Sequence, residues 1–170
     1  VSIISRGRAA GYTLHLPIDD HKLQSKNEFL GDIAVSLGGY VVEKNIFGDL
    51  TTGSSNDLQV STSLARDMVT RYGMSDSLGP IAFGERALGN EPYSEHVAMQ
   101  IDAEVTRIIE EAKERARKVL TDHRGALDSI AEELVRTETM EREEFEKLLI
   151  LNGIQPKKKD AFTYEFIVRA

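Results

Sequence analysis

The sequence predicts a mainly α-helical fold with a small β element near the N-terminus and a helical bundle toward the C-terminus. Three observations lead there. Apolar residues recur at helical spacing through most of the chain, and strand-like alternation is found only toward its ends, first at 11–16. Trp is absent and aromatics make up 6% of the residues, so the core must be built from Leu, Ile, Val and Ala.

The opening "VSIISRGRAAGYTLHLP" reads as two short strands, at 1–4 and 11–16, around a loop. Tyr12, Leu14 and Leu16 alternate with Thr13 and His15, Gly7 and Gly11 bracket the connection, and Pro17 ends the second strand. "SKNEFLGDIAVSLGGYVVEKNIFG" reads as one helix. Ser25 and Glu28 have the spacing of a capping box, and Phe29, Leu30, Ile33, Ala34, Leu37 and Val41 form its apolar stripe. Gly38 and Gly39 fall mid-helix, where each costs roughly 1 kcal/mol against Ala. Either another backbone packs close there or the helix breaks.

The loop "GDLTTGSSN" leads into a helix from Asp57 to about Tyr72. Leu58, Leu64, Ala65, Met68, Val69 and Tyr72 form its buried face, with Val60 off the stripe, and Gly73 stands where a left-handed cap is expected. "SDSLGPIAFGERALGNEPY" reads as an irregular connection with a possible short strand at "PIAF". Connections of this length tend to be functional or mobile. A long helix follows from Ser94 to about Asp122, its seam formed by Val97, Ile101, Val105, Ile108, Ala112, Val119 and Leu120. Two shorter helices come next: Ala126–Arg136 with Leu127, Ile130, Leu134 and Val135 inward, and Glu141 to Leu151 with Phe145, Leu148 and Leu149 inward. Short loops make 94–151 a helical bundle. After Gly153 come a basic linker and a strand-like run, Phe162–Val168, either a disordered tail or a strand added to a sheet.

The chain has 170 residues, enough for one self-supporting domain with a tail. A net charge of −7, with "KKKD" the one basic run, argues against nucleic acid as a partner. The absence of Cys excludes disulfides, thiol chemistry and Cys-ligated zinc. No signal peptide is visible, and no apolar run approaches the roughly eighteen residues of a membrane span. The chain begins strand-like and without Met, as expected of a piece of something longer.

Motifs for chemistry are few. The four histidines, His15, His21, His96 and His123, include no pair four residues apart, so no H-E-x-x-H helix exists here. G-x-S-x-G and P-loop patterns are also missing. What remains is Asp57 in "TTGSSNDL". An acidic residue in a first turn complements the helix dipole, which is the commoner role at such a position; a metal ligand is the alternative.

Longer stretches of the sequence decide between these. "RGRAAGYT", "FLGDIAVSLGGYVVEKNIFGDLTTGSSNDLQVSTSLARDMVTRYGMSDSLGPIAFGE" and "ETMEREEFEKLL" together resemble the peptidase domain of the FtsH family, membrane-anchored ATP-dependent zinc metalloproteases of the AAA class. The resemblance covers roughly 1–151, with 1–93 as the metal-site half, 94–151 as the helical bundle and 152–170 as a tail or linker. In that family two histidines of an H-E-x-x-H helix and a later Asp hold the zinc, and zinc-activated water attacks the peptide bond with the glutamate as general base. The resemblance implies that Asp57 is that third ligand, with Thr52 and Asn56 as residues that orient it; capping is the other role open to Asn56.

The H-E-x-x-H helix of the family lies just upstream of the segment resembling "VSIISRGRAAGYT". The chain is therefore expected to lack two ligands and the general base, and to be inactive as given. Truncation is favoured over natural loss because Asp57 and its loop are retained. A further departure is "GGYVVEK", with Tyr40 for a family Arg and Lys44 for a family Glu. The resemblance implies zinc as cofactor, ATP on an upstream module, unfolded polypeptide as substrate held against a sheet edge, and a hexameric ring. It also implies a membrane anchor outside this chain, with the peptidase domain on the soluble side. The alternative is a non-catalytic assembly or partner-docking module of a hexameric AAA complex, with Asp57 only a cap.

Overall fold

Ser25 starts the first helix as its spacing predicts. Its hydroxyl accepts the Glu28 N–H at 3.3 Å, and the Glu28 carboxylate accepts the Ser25 N–H at 2.6 Å. Two of the orphan donors of helix α1 (Lys26–Ser36) are thereby satisfied. The computed structural model describes residues 1–5, 11–13, 23–83 and 93–156 of the chain. They are mainly helical, and α1 is followed by α2 (Gly38–Val42), a π-helical turn (Glu43–Phe47), a 3-10 turn (Thr52–Ser54), α3 (Ser55–Thr70), α4 (Glu95–Asp122), α5 (Arg124–Thr137) and α6 (Arg142–Leu151).

The single helix expected over 25–48 is broken. Leu37, flattened to ψ −5° but still right-handed, closes α1, and α2 starts at Gly38. Of the two readings of the Gly pair the break holds, because a Cβ on Gly38 or Gly39 would meet nothing within 4 Å. The chain then widens into the π turn and ends at Gly48, whose φ of +71° is left-handed.

The chain divides into two compact units, His21–Asp122 and a second made of Val1–Asp20 with His123–Ala170. In the first, α1, α3 and α4 pack pairwise against one another, and α2 packs on α4. Ile33, Ala65, Met68, Val69 and Ile101 have no exposed surface, and Phe29, Leu37, Val105, Ile108 and Ala112 surround them. At roughly 1.5–3 kcal/mol for each large side chain buried, this cluster is the main driving force of the unit. Of the face expected on α3, Leu58 and Leu64 pack at its edge, Tyr72 is half-exposed but stacks on Phe29 at 5.4 Å, and Val60 points outward. Ser61 lies fully buried in that face, its hydroxyl donating to the Leu58 carbonyl at 3.1 Å. On α4, Ala98 and Ala116 join the seam, whereas Val119 is 52% exposed, contrary to its expected place.

The departure from α3 is fixed by Gly73, with φ +59° as the sequence predicts. The Met74 N–H donates back to the Met68 carbonyl at 2.9 Å. A Cβ on Gly73 would lie 3.2 Å from Pro80 Cα, so space and backbone conformation both demand glycine. The connection beyond forms no strand at "PIAF" among its described residues; the Phe83 N–H donates to the Thr70 carbonyl instead. This connection is tied to α4 by a buried carboxylate. Glu104, 4% exposed, accepts the Ser75 hydroxyl at 3.0 Å and a two-pronged bond from Arg107 at 2.8 and 2.9 Å. The Arg107 guanidinium holds the Glu104 carboxyl at a pKa of about 2 against an ordinary 4.5, outweighing the opposing effect of burial.

In the second unit, α5 packs on α6. Leu127, Ile130, Leu134, Phe145, Leu148 and Leu149 are only partly buried, and Val135 is 75% exposed, which corrects the inward face expected of it. The β element shrinks to two isolated antiparallel bridges, Ser2 with Tyr12 and Ser2 with Thr139. No strand forms among the described residues, because the Ser2 hydroxyl takes the Ile4 N–H at 3.2 Å and interrupts any ladder after one pair. The expected strand residues 14–16 and the run Phe162–Val168 lie outside the described residues.

Two measurements probe this architecture. Gly73→Ala should cost about 1–2 kcal/mol or more in urea unfolding, the penalty of a left-handed Cβ plus its contact with Pro80. Glu104 has a depressed pKa, so its contribution is complete above about pH 4.5 and lost as pH falls through about 2. Its size is on the order of 2 kcal/mol once screening of the half-exposed Arg107 is allowed for. Glu104→Gln should be less stable than the parent at pH 7, and the gap should narrow between pH 5 and 2 in urea midpoints.

Candidate metal centre

The segment that carries Asp57 is built from a returning loop. After Gly48 reverses the chain, Thr51 comes back to the π turn, where the Glu43 carboxylate accepts both its N–H at 2.8 Å and its hydroxyl at 2.9 Å. The Thr51 hydroxyl oxygen in turn accepts the Gly53 N–H at 3.0 Å, which winds the 3-10 turn. Ser54 is buried at its end, and α3 begins at Ser55.

Asp57 therefore sits in the first turn of α3 on an exposed surface, and its carboxylate makes no hydrogen bond or ion pair among the described residues. The residue at the cap, Ser54, makes no side-chain capping bond either. This helix is introduced by the Thr51 turn. Among the described residues Asp57 is left free, facing water at the positive end of the helix dipole, where a carboxylate is favourable whether or not a cation shares it.

Asn56 and Thr52 lie in the same segment, exposed, and no hydrogen bond joins either to Asp57 or to a cap among the described residues. His96 lies in the first turn of α4, His123 precedes α5, and His15 and His21 fall outside the described residues. Among the described residues no three His, Asp or Glu side chains stand close enough to hold a metal. Asp57 offers zinc one suitable oxygen donor, and a catalytic zinc takes about three protein ligands. The residues Tyr40 and Lys44, singled out as departures, meet one another: the Lys44 ammonium lies 5.9 Å from the centre of the Tyr40 ring.

Glu43 escaped sequence reasoning. Its partner is eight residues away across a left-handed glycine, a pairing no helical or capping rule predicts.

Residues 1–148 match the model of peptidase family M41, and the chain belongs to that family. It is 44% identical over 168 residues to the ATP-dependent zinc metalloprotease FtsH of Bacillus subtilis (strain 168), a match covering 93% of this chain and 26% of that protein. With the FtsH of Thermotoga maritima it shares 44% over 159 residues, covering 88% of this chain and 26% of the relative. With that of Chloroflexus aggregans it shares 47% over 161 residues, covering 88% and 24%. The chain thus spans about a quarter of the length of the curated relatives it matches. No helix among its described residues is long and apolar enough to cross a membrane.

The unpartnered state of Asp57 has a direct consequence. Asp57→Ala should change the urea stability of this chain by less than about 1 kcal/mol, the size of an exposed helix-dipole interaction. A capping carboxylate would cost about 1–2 kcal/mol.

Proposed function

We propose that this chain is the C-terminal portion of the peptidase domain of an ATP-dependent zinc metalloendopeptidase that degrades unfolded or membrane polypeptides, and that Asp57 is one of its zinc ligands. Residues 1–151 are the peptidase portion, with the metal-site half at 1–93, and 152–170 are a tail or linker. The observation that carries the reading is the exposed carboxylate of Asp57, unpartnered among the described residues at the mouth of a tightly tied helix. Membership of peptidase family M41 and relatives named as zinc metalloproteases support it.

Two histidines and a general-base glutamate of the full-length protein complete the site. Zinc held there supplies the Lewis acidity that peptide-bond hydrolysis needs. Within this chain, Asp57 provides an anionic oxygen donor, and the rigid start of α3 holds that donor in place. Thr52 and Asn56 lie near enough in sequence to orient it when the remaining ligands are present. ATP hydrolysis belongs to an upstream module that unfolds the substrate, the assembly is a hexamer, and the membrane anchor lies outside this chain.

Zinc content after dialysis tests the reading. The 170-residue chain should retain almost none, and the full-length protein about one per chain. Asp57→Ala in the full-length protein should lose the metal and, with it, ATP-dependent cleavage of a labelled unfolded polypeptide. Zinc absent from both proteins would identify the chain as part of a non-catalytic assembly module. Zinc retained at parental level by Asp57→Ala would remove Asp57 from the ligand set.

A further inference from the structure

Helix α6 ends in a closed cap. Asn152 follows its last residue at φ −92° and ψ 15°, and Gly153 comes next in the left-handed region at φ +77°. The Gly153 N–H donates to the Ile150 carbonyl at 3.0 Å and the Ile154 N–H to the Leu149 carbonyl at 2.9 Å. These are the paired bonds of a Schellman motif. Ile154 is partly buried, in keeping with the apolar contact that accompanies such caps. The Asn152 side chain is engaged as well. Its Nδ2 donates to the Leu148 carbonyl at 2.9 Å, and its Oδ1 lies over the start of α5, 3.6 Å from where a Cβ on Gly125 would stand. Asn152 and Gly153 are nevertheless exposed to water.

The same two residues are the one Asn-Gly pair in the sequence. Such a pair is chemically labile, because glycine has no side chain to hinder attack of its backbone nitrogen on the asparagine amide. The nitrogen gives up its proton, bonds to the side-chain carbonyl carbon and expels ammonia, which carries that proton away. Water then opens the five-membered imide at either carbonyl and leaves aspartate or isoaspartate. No reactant besides water is consumed. In the cap this attack is closed. At ψ 15° the Gly153 nitrogen is turned away from the Asn152 side chain, and its N–H is held by Ile150. Both constraints lapse together when the last turn frays, since the rotation that brings the nitrogen to the amide also carries Gly153 out of the motif.

We propose that Asn152–Gly153 is a deamidation site gated by the cap of α6: closed while the motif holds, reactive when the last turn frays, and one-way once the imide is hydrolysed. The product cannot rebuild the cap. Isoaspartate lengthens the main chain by one carbon and displaces both motif bonds. Aspartate replaces the Nδ2 donor with an acceptor facing the Leu148 carbonyl. A transient opening of the helix end is thereby made permanent.

The test incubates the full-length protein at mildly alkaline pH beside a synthetic peptide of residues 148–157, the fragment trypsin releases between Lys147 and Lys157. Tryptic mass spectrometry follows the amide-to-acid change at Asn152, and chromatography separates the aspartate and isoaspartate forms. The folded protein should react about ten- to a hundred-fold more slowly than the peptide, the protection expected of two hydrogen bonds at a fraying helix end. Ile154→Pro removes the N–H of one motif bond and keeps the Asn-Gly pair. It should close most of the gap to a peptide carrying the same substitution. Should that variant fail to fold, the parent protein in urea too dilute to change its circular dichroism carries the test, and its rate should rise toward that of the peptide. Equal rates in parent protein and peptide would overturn the proposal. So would a rate in the folded protein that neither Ile154→Pro nor, in its place, dilute urea increases.

Discussion

The mutual packing of α1, α3 and α4 governs the unit that carries Asp57. Ile33 of α1, Met68 and Val69 of α3 and Ile101 of α4 have no exposed surface, so none of the three helices can rotate or slide without opening a void. Voids in such cores are costly because the surroundings relax only in part. The 16 residues of α3 span about 24 Å, and that face is buried along most of them. A helix gripped along its length delivers its first turn to a fixed place. The location of Asp57 is thus decided largely by residues more than a turn away from it, none of which has any chemistry of its own.

Both ends of α3 are then pinned by polar contacts of very different kinds. At the start, Glu43 and Thr51 close the loop in an exposed setting, where the gain is geometric more than energetic. At the end, Gly73 turns the chain, and the next residues are drawn down onto α4 by Glu104. That carboxylate is buried, and its two acceptor oxygens are shared among Ser75 and Arg107 so that no charge is left uncompensated. Core packing sets the axis of the helix, and these contacts fix how the chain enters and leaves it.

Much of this was legible in the residues. The capping box at Ser25, the apolar stripes of α1, α3 and α4 and the left-handed glycine at 73 follow from local rules, and the structure contains them. Local rules failed where the deciding partner is distant. Val119 and Val135 fit the helical period but face solvent, because period identifies a stripe and not the neighbour that covers it. Glu104 lies among buried residues only because Ser75 and Arg107 receive it. The strands at the N-terminus dwindled to single bridges once Ser2 spent its hydroxyl on the adjacent backbone. The position of Asp57 at the mouth of its helix was legible in the sequence, and only the family resemblance marked it as a ligand; its freedom from partners among the described residues was legible in neither. That depends on Thr51 and Glu43 having taken over the introduction of α3, a pairing hidden behind the left-handed Gly48.

Asp57 is a carboxylate that the fold positions and, among the described residues, does not consume, in a chain of peptidase family M41. The most direct test of that account is the zinc-edge X-ray absorption spectrum of the full-length protein beside its Asp57→Asn variant. The account predicts a first shell of imidazole nitrogens with a carboxylate oxygen in the parent, and loss or lengthening of that oxygen contribution in the variant. An identical first shell in the two proteins would contradict it.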